Sequence, residues 1–291
     1  GKPIPIKTLG QQIAGIYEAK VVADDLDDSQ GKKRAALPDF LKNFLIRQYG
    51  LKSIAMKNLQ NMAAGVRKEW QSSLRLKVFG KVAGMIEDEQ FEEGHCDLLC
   101  QAFKNLFPPE QIKERLSDRD MEAIPIQSVA YATLGVFTSK YYFRDDDDIV
   151  MAEGEPDLGG SVKQQLLDMA DGDKADPNSL MVSIDKWTEW LIRSYDESHK
   201  NAERFFERLY DEYDVNKDNI LDFSEFCNVI KVVDADKREE DILQMYNDAL
   251  EVTGEGDNIS AEAFVHVALA NHLPCMKQAP QQEKAGVPTE S

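Results

Sequence analysis

The chain has 291 residues, is 42% hydrophobic and 30% charged, and carries a net charge of −19. That composition is ordinary for a globular protein with ample chain to bury a core. No apolar run approaches the roughly 18 to 20 residues that span a bilayer, so no transmembrane segment is expected, and residues 1–6 lack the apolar stretch of a secretion signal. Four cysteines (Cys96, Cys100, Cys227 and Cys275) are too few for a disulfide scaffold and point to a reducing, cytoplasmic setting.

Residues 1–36 read as an N-terminal extension with one short helix. Thr8 and Gln11 have the spacing of a capping box, and Ile13, Ile16 and Tyr17 follow at helical spacing. The run Asp24–Asp28, followed by Gly31, reads as a solvated loop. A basic helical block comes next. Leu37, Phe40, Leu41, Phe44 and Leu45 form one apolar stripe, closed at Gly50 by a C-terminal cap. Leu51, Ala55, Leu59, Met62 and Val66 form a second stripe, and Phe79, Val82 and Ile86 a third. Residues 32–81 hold twelve Lys/Arg against two acids, Asp39 and Glu69, a local charge of +10 that leaves −29 for the remainder. Such asymmetry fits either an acidic partner or the acidic part of the same molecule.

From about residue 90 the chain repeats. The anchor is Asp214-Val-Asn-Lys-Asp-Asn-Ile-Leu-Asp-Phe-Ser-Glu225, whose central apolar residue is Leu221, with Phe226 five later. Ile259 with Phe264 repeats this 38 residues downstream, and Val182 with Trp187 repeats it 39 residues upstream. Ile124 with Val129 lies 58 further back, the surplus being an acidic loop, Asp145 to Ser161. Amphipathic stretches flank each centre, so the unit is helix–loop–helix. Period-2 runs are scarce, and no substantial sheet is expected.

The anchor loop has the donor pattern of a calcium site. Calcium takes six to eight oxygens in a forgiving geometry. Oxygen side chains fall at loop positions 1, 3, 5, 9 and 12 as Asp214, Asn216, Asp218, Asp222 and Glu225, and Ile220 would offer its backbone carbonyl. Four carboxylates make the site anionic. Position 6, where a positive φ favours Gly, is Asn219, the next most tolerant residue. A modest loss of affinity follows, with binding in the sensor range of roughly 0.1 to 10 µM. The other three loops lack ligands. The 252–263 loop has Val252 and Ala263 at its ends, the 175–186 loop ends on Lys186, and the 117–128 loop has Arg119 and Met121 inside. These are read as structural units, with 252–263 the partner that buries the apolar face of 214–225.

These residues resemble the EF-hand superfamily. The resemblance implies an all-α fold of tandem EF-hand units, one calcium-competent and up to three degenerate, preceded by the basic helical block. It also implies Ca2+ as the bound ion at Asp214, Asn216, Asp218, Ile220, Asp222 and Glu225, and action through a partner protein. Phe44–Ser53 and Leu76–Gly84 are similar to helical segments that precede EF-hands in ciliary and flagellar axoneme proteins. The expected domains are the extension 1–36, a helical domain 37–160 with the degenerate loop 117–128, an EF-hand domain 161–273, and a polar disordered tail 274–291.

For function, no Gly-rich phosphate loop, Gly-x-Ser-x-Gly elbow or His-Glu-x-x-His helix is present. His95, His199, His266 and His272 form no evident constellation, and Cys96 and Cys100 read as half-buried thiols rather than metal ligands. The expectation is therefore not an enzyme but a non-enzymatic interaction or scaffold module. Its expected partner is acidic, such as tubulin or an axonemal complex, bound through residues 32–81, with a cytoplasmic and ciliary location. Nucleic acid is not expected, given the acidic total charge and the lack of a recognised fold signature. The alternatives are a sensor that exposes an apolar groove to regulate a partner enzyme, and a calcium buffer.

Overall fold

The structure is a computed structural model, and it describes residues 1–86, 93–117, 123–139, 142–143, 149–152, 155–173, 175–254 and 259–275. Those residues are mostly helical, with short strands. The chain divides into two compact units, Gly1–Tyr142 with Asp147–Asp196, and Phe143–Asp146 with Glu197–Ser291. The division falls at 196/197, whereas the sequence reading places it at 160/161.

The first unit contains α1 (Ile6–Ser29), α2 (Leu37–Tyr49), α3 (Lys52–Glu69), α4 (Leu74–Val82), α5 (Glu93–Leu106), α6 (Ile112–Ser117), α7 (Ile126–Phe137), α8 (Gly160–Met169) and the first part of α9 (Ile184–Tyr213). The expected extension is instead a 24-residue helix with Leu9, Ile13, Ile16 and Tyr17 almost fully buried. Tyr17 meets Phe79 and Phe103 edge-on, at centroid distances of 5.8 and 5.0 Å. Two local expectations fail here. The N-cap is Pro5, with no side-chain cap bond, so Thr8 and Gln11 do not form a capping box. Asp24–Asp28 is helical rather than a loop, because Asp24 is buried and paired with Lys20 one turn back.

The basic block folds as the stripes require. Gly50, at φ +72°, closes α2 by donating its N–H to Ile46 O, and α3 returns against α2. Leu41, Leu45, Ala55, Met62, Val66, Phe79 and Val82 are buried. Leu51 departs from its stripe and is 60% exposed at the corner.

The helix–loop–helix repeats meet centre to centre. In the first unit β1 (Ala123–Pro125) pairs antiparallel with β5 (Met181–Ser183), with Ile124 opposite Val182. β4 (Ala170–Asp171) adds to β5 on its other side. Ile124 and Val182 are the centres of the two upstream repeats. The expectation of an acidic loop over 145–161 is corrected in part, since β2 (Ile149–Ala152) and β3 (Glu155–Leu158) form a hairpin and α8 begins at Gly160. Residues 145–148 and 153–154 of that stretch lie outside the described residues. Trp187 is fully buried and donates its indole N–H to Thr133 Oγ1 at 3.0 Å, and Trp190 donates to Gln165 Oε1 at 2.8 Å. Both tryptophans are packing residues.

The second unit holds the rest of α9, α10 (Phe223–Val233), α11 (Glu239–Thr253) and α12 (Ala261–Ala270). Its core centres on Phe206, Phe226 and Phe264, all fully buried, with Phe226 perpendicular to Phe264 at 5.9 Å. Each such ring contributes about 1.5–3 kcal/mol on burial. Most of the tail expected at 274–291 lies outside the described residues.

Candidate functional site

The loop between α9 and α10 is built on Asp214 and Glu225. Asp214 follows the last turn of α9 and is only 3% exposed. Its two carboxylate oxygens accept from the backbone N–H groups of Asp218 (3.2 Å) and Asn219 (2.9 Å). Asn216 Oδ1 also accepts from Asp218 N–H, at 3.0 Å, and Asp218 Oδ1 accepts from Ile220 N–H, at 3.1 Å. The short polar side chains thus wind the backbone about themselves. Asn216 donates its amide to Asp218 Oδ2 at 2.9 Å.

The sharp turn falls where the sequence places it. Asn219 has φ +62°, and Lys217, two residues earlier, has φ +58°. Asn tolerates this left-handed conformation better than other non-glycine residues. Lys217 holds its own by donating its ammonium to Asp211 O.

At the far end Asp222 caps α10. Its Oδ1 accepts from Glu225 N–H at 2.8 Å, and Glu225 Oε2 accepts from Asp222 N–H at 3.2 Å, a reciprocal capping box. Glu225 Oε1 reaches back across the loop to Val215 N–H at 3.3 Å. Glu225 therefore ties the first residues of the loop to the last, with each of its oxygens engaged by a loop backbone N–H.

The loop is fixed to its partner through Leu221 and Ile259. Each donates its N–H to the other's carbonyl, at 2.9 and 3.1 Å, in an isolated antiparallel bridge. Tyr210 donates its hydroxyl to the same Ile259 carbonyl at 3.2 Å. Sequence reasoning missed this role, because the two residues are 49 positions apart and nothing local links them. Burial, followed by the charges of Asp214, Asp218, Asp211 and Glu225, pushes the Tyr210 phenol up to about 12. The tyrosine thus senses the concentrated negative charge of the loop.

All six sequence-predicted site residues (Asp214, Asn216, Asp218, Ile220, Asp222 and Glu225) belong to this one loop. Among the described residues, however, no group of three or more His, Cys, Asp or Glu side chains converges tightly enough to hold a metal ion. The oxygens are spread over the loop's own N–H groups. As a donor set they suit a hard cation: five side chains carry oxygen, four of them carboxylates, Ile220 has its backbone carbonyl, and the buried Asp214 carboxylate forms no ion pair with a Lys or Arg among the described residues. In the 175–186 loop, Lys186 extends its ammonium to within 3.6 Å of Asp171. Part of the 252–263 loop, residues 255–258, and part of the 117–128 loop, residues 118–122, lie outside the described residues.

His95 Nε2 is 2.6 Å from Asp196 Oδ1 and its ring packs edge-on to Tyr195. Cys96 and Cys100 are buried, and the hydrogen bond to Cys96, with burial, holds the Cys100 thiol well above its usual range.

The basic block separates into two sets. Arg34 pairs with Asp28 and Asp97, Arg75 with Asp185, Lys77 with Glu189 and Lys68 with Glu69, while Arg67 donates to Met85 O. Lys32, Lys33, Lys42, Arg47, Lys52 and Lys57 are exposed and paired with no acid among the described residues. Four of these six lie on the α2–α3 hairpin. Residues 40–68 contain no Asp or Glu at all. At the corner of that hairpin Leu51 is 60% and Ile54 43% exposed.

No protein-family model, no curated protein and no solved structure matches the chain. Among the described residues no helix is long and apolar enough to cross a membrane.

Proposed function

We propose that this chain is a calcium-binding EF-hand protein that acts as a non-enzymatic interaction or scaffold module. The observation that carries the reading is the 214–225 loop. Five oxygen side chains at the required spacing stand on a left-handed turn at Asn219, and the loop is bridged at Leu221 to the centre of a second helix–loop–helix unit. The Ile124–Val182 ladder supports a second, degenerate EF-hand pair upstream. In this reading Asp214, Asn216, Asp218, Asp222, Glu225 and the Ile220 carbonyl hold Ca2+. The ion would supply the positive charge that four mutually repelling carboxylates lack. Gathering them takes only local motion: Glu225 gives up Val215 N–H, and Asp214 stays in place at the end of α9.

The partner of this reading is an acidic protein surface, tubulin or an axonemal complex, met by the exposed Lys42, Arg47, Lys52 and Lys57 of the acid-free run 40–68. The support is charge complementarity. Four exposed cations without acidic partners among the described residues lie on the same hairpin as exposed Leu51 and Ile54, on a chain that is otherwise strongly acidic. A location on the cytoskeleton, in the cytoplasm or a cilium, follows from that partner.

Two measurements test the reading. Calorimetric titration with calcium in millimolar magnesium is expected to give one site of micromolar affinity. Cosedimentation with polymerised tubulin is expected at low salt, weakening steeply as salt rises and lost in the triple variant Arg47→Glu, Lys52→Glu, Lys57→Glu. Binding that the triple variant leaves intact would remove the hairpin from the interface. A second reading, a calcium sensor, is favoured by the apolar side chains left exposed on α10 and α11: Phe223 at 44%, Val232 at 46% and Leu243 at 50%. A calcium-dependent change in that surface would mark it.

A further inference from the structure

A cleft of about 420 Å³ opens in the first unit between α1, α2, α3 and α6. That volume lies in the range of small-molecule sites, roughly 300–1,000 Å³. Its apolar wall is Ile16, Phe44, Leu45 and Met62. Its polar wall is Thr8, Gln11, Gln12, Gln48, Lys113 and Ser117.

These polar side chains have no internal task. Thr8 and Gln11 are released from capping because α1 begins after Pro5. None of the side chains of Thr8, Gln11, Gln12, Gln48, Lys113 and Ser117 has a hydrogen-bond or ion-pair partner among the described residues. The Gln12 side-chain oxygen is shielded from solvent and unpartnered. Thr8, Gln11, Gln48 and Lys113 are exposed and hydrated, so the one buried acceptor of this wall that lacks a partner is the Gln12 side-chain oxygen, which a donor group in the cleft would satisfy.

The charge of the wall selects the ligand. Among the described residues Lys113 is the only charged side chain lining the cleft. The nearby Glu18 carboxylate is occupied by the backbone N–H of Lys113, at 2.9 Å, and does not line it. The Lys113 stem passes over α1 at Gly15, where a Cβ would lie in ordinary contact with Lys113 Cδ, at 3.6 Å. We infer that this cleft binds a small organic monoanion with an apolar body, a carboxylate or sulfonate. Lys113 meets the anionic group, the glutamine amides and hydroxyls supply donors and acceptors around it, and the apolar body lies on Ile16, Phe44, Leu45 and Met62. The site is independent of the calcium loop.

The test uses the full chain and the fluorescent probe 8-anilinonaphthalene-1-sulfonate. One saturable site is expected, unchanged by a calcium chelator and displaced by decanoate but not by decyltrimethylammonium. Removing the charge with Lys113→Gln, at an exposed position, is expected to weaken binding about five-fold, the value of one unit-charge contact near 4 Å in a water-like dielectric. Gln12→Leu, which removes the unpartnered buried oxygen and keeps the helix, is expected to weaken binding without lowering the melting temperature. No saturable binding overturns the proposal. So does binding that both variants leave unchanged, or binding that the cationic amphiphile displaces equally, since each places the probe elsewhere.

Discussion

Replacing Glu225 by Gln separates the loop's folding role from its ion-binding role. In the folded loop the Glu225 carboxylate accepts two bonds, from Val215 N–H at 3.3 Å and from Asp222 N–H at 3.2 Å. Glutamine serves the capping box as well as glutamate does, through its one carbonyl oxygen. The variant therefore loses one backbone bond, about 1 kcal/mol without calcium. Toward calcium the loss is larger. One carboxylate near 4 Å from a divalent ion is worth about 2 kcal/mol even at the dielectric of water, twice the unit-charge value, and more inside the loop. Affinity is expected to fall at least about 30-fold. If the native affinity is about 1 µM, then 1 mM free calcium stabilises the native loop by about 4 kcal/mol and the variant by about 2 kcal/mol. Titration calorimetry gives the affinities, and thermal unfolding with calcium or chelator gives the stabilisation. A variant that binds as tightly as the native chain, or a native chain whose melting ignores calcium, would refute the assignment of Glu225 and of the loop.

Three further outcomes concern buried polar groups and thiols. Thr133→Val leaves the buried Trp187 indole N–H without its acceptor, and a loss of about 1–3 kcal/mol is expected in urea unfolding; no loss would mean that the hydroxyl is replaceable there. Lys20→Met strands Asp24, which is 3% exposed and already has one unpartnered oxygen, so a cost of about 3–5 kcal/mol is expected, recovered in the double variant Lys20→Met, Asp24→Leu. Additive losses in the double variant would count against a buried ion pair. For thiol chemistry, burial pushes Cys275 up to about 12, and the bond to Cys96 with burial raises Cys100 well above its usual range. Because only the thiolate reacts, iodoacetamide at pH 8 is expected to modify both far more slowly in the native protein than in denaturant, as peptide mass spectrometry would read; equal rates would contradict the burial.

How much of this was legible in the sequence depends on how local each signal is. Helical spacing of apolar residues marked α2, α3 and α4, and Gly50 marked the end of α2, because these features act within one or two turns. The oxygen side chains proposed as ligands were legible for the same reason, since twelve consecutive residues contain all of them, and the turn at Asn219 needed only a residue tolerant of positive φ. The spacing of Leu221, Ile259, Val182 and Ile124 also reached further than a single element, because a repeated unit repeats its centre, and the structure sets those centres opposite one another in pairs.

What only tertiary structure decided is where distant residues meet. The acidic run at 24–28 looks like a solvated loop until Lys20 and the surrounding core bury Asp24 within α1. Thr8 and Gln11 match a capping signature, yet Pro5 starts the helix earlier and leaves them facing a cleft whose other wall comes from α2 and α6. The sequence by itself determined the helical character, the charge asymmetry and the oxygen donors of one loop. It could not say which cations of the basic block are neutralised by the chain's own acids and which face outward. That sorting depends on partners such as Asp97, Asp185 and Glu189, some 60 to 110 residues away, which the fold alone brings within reach.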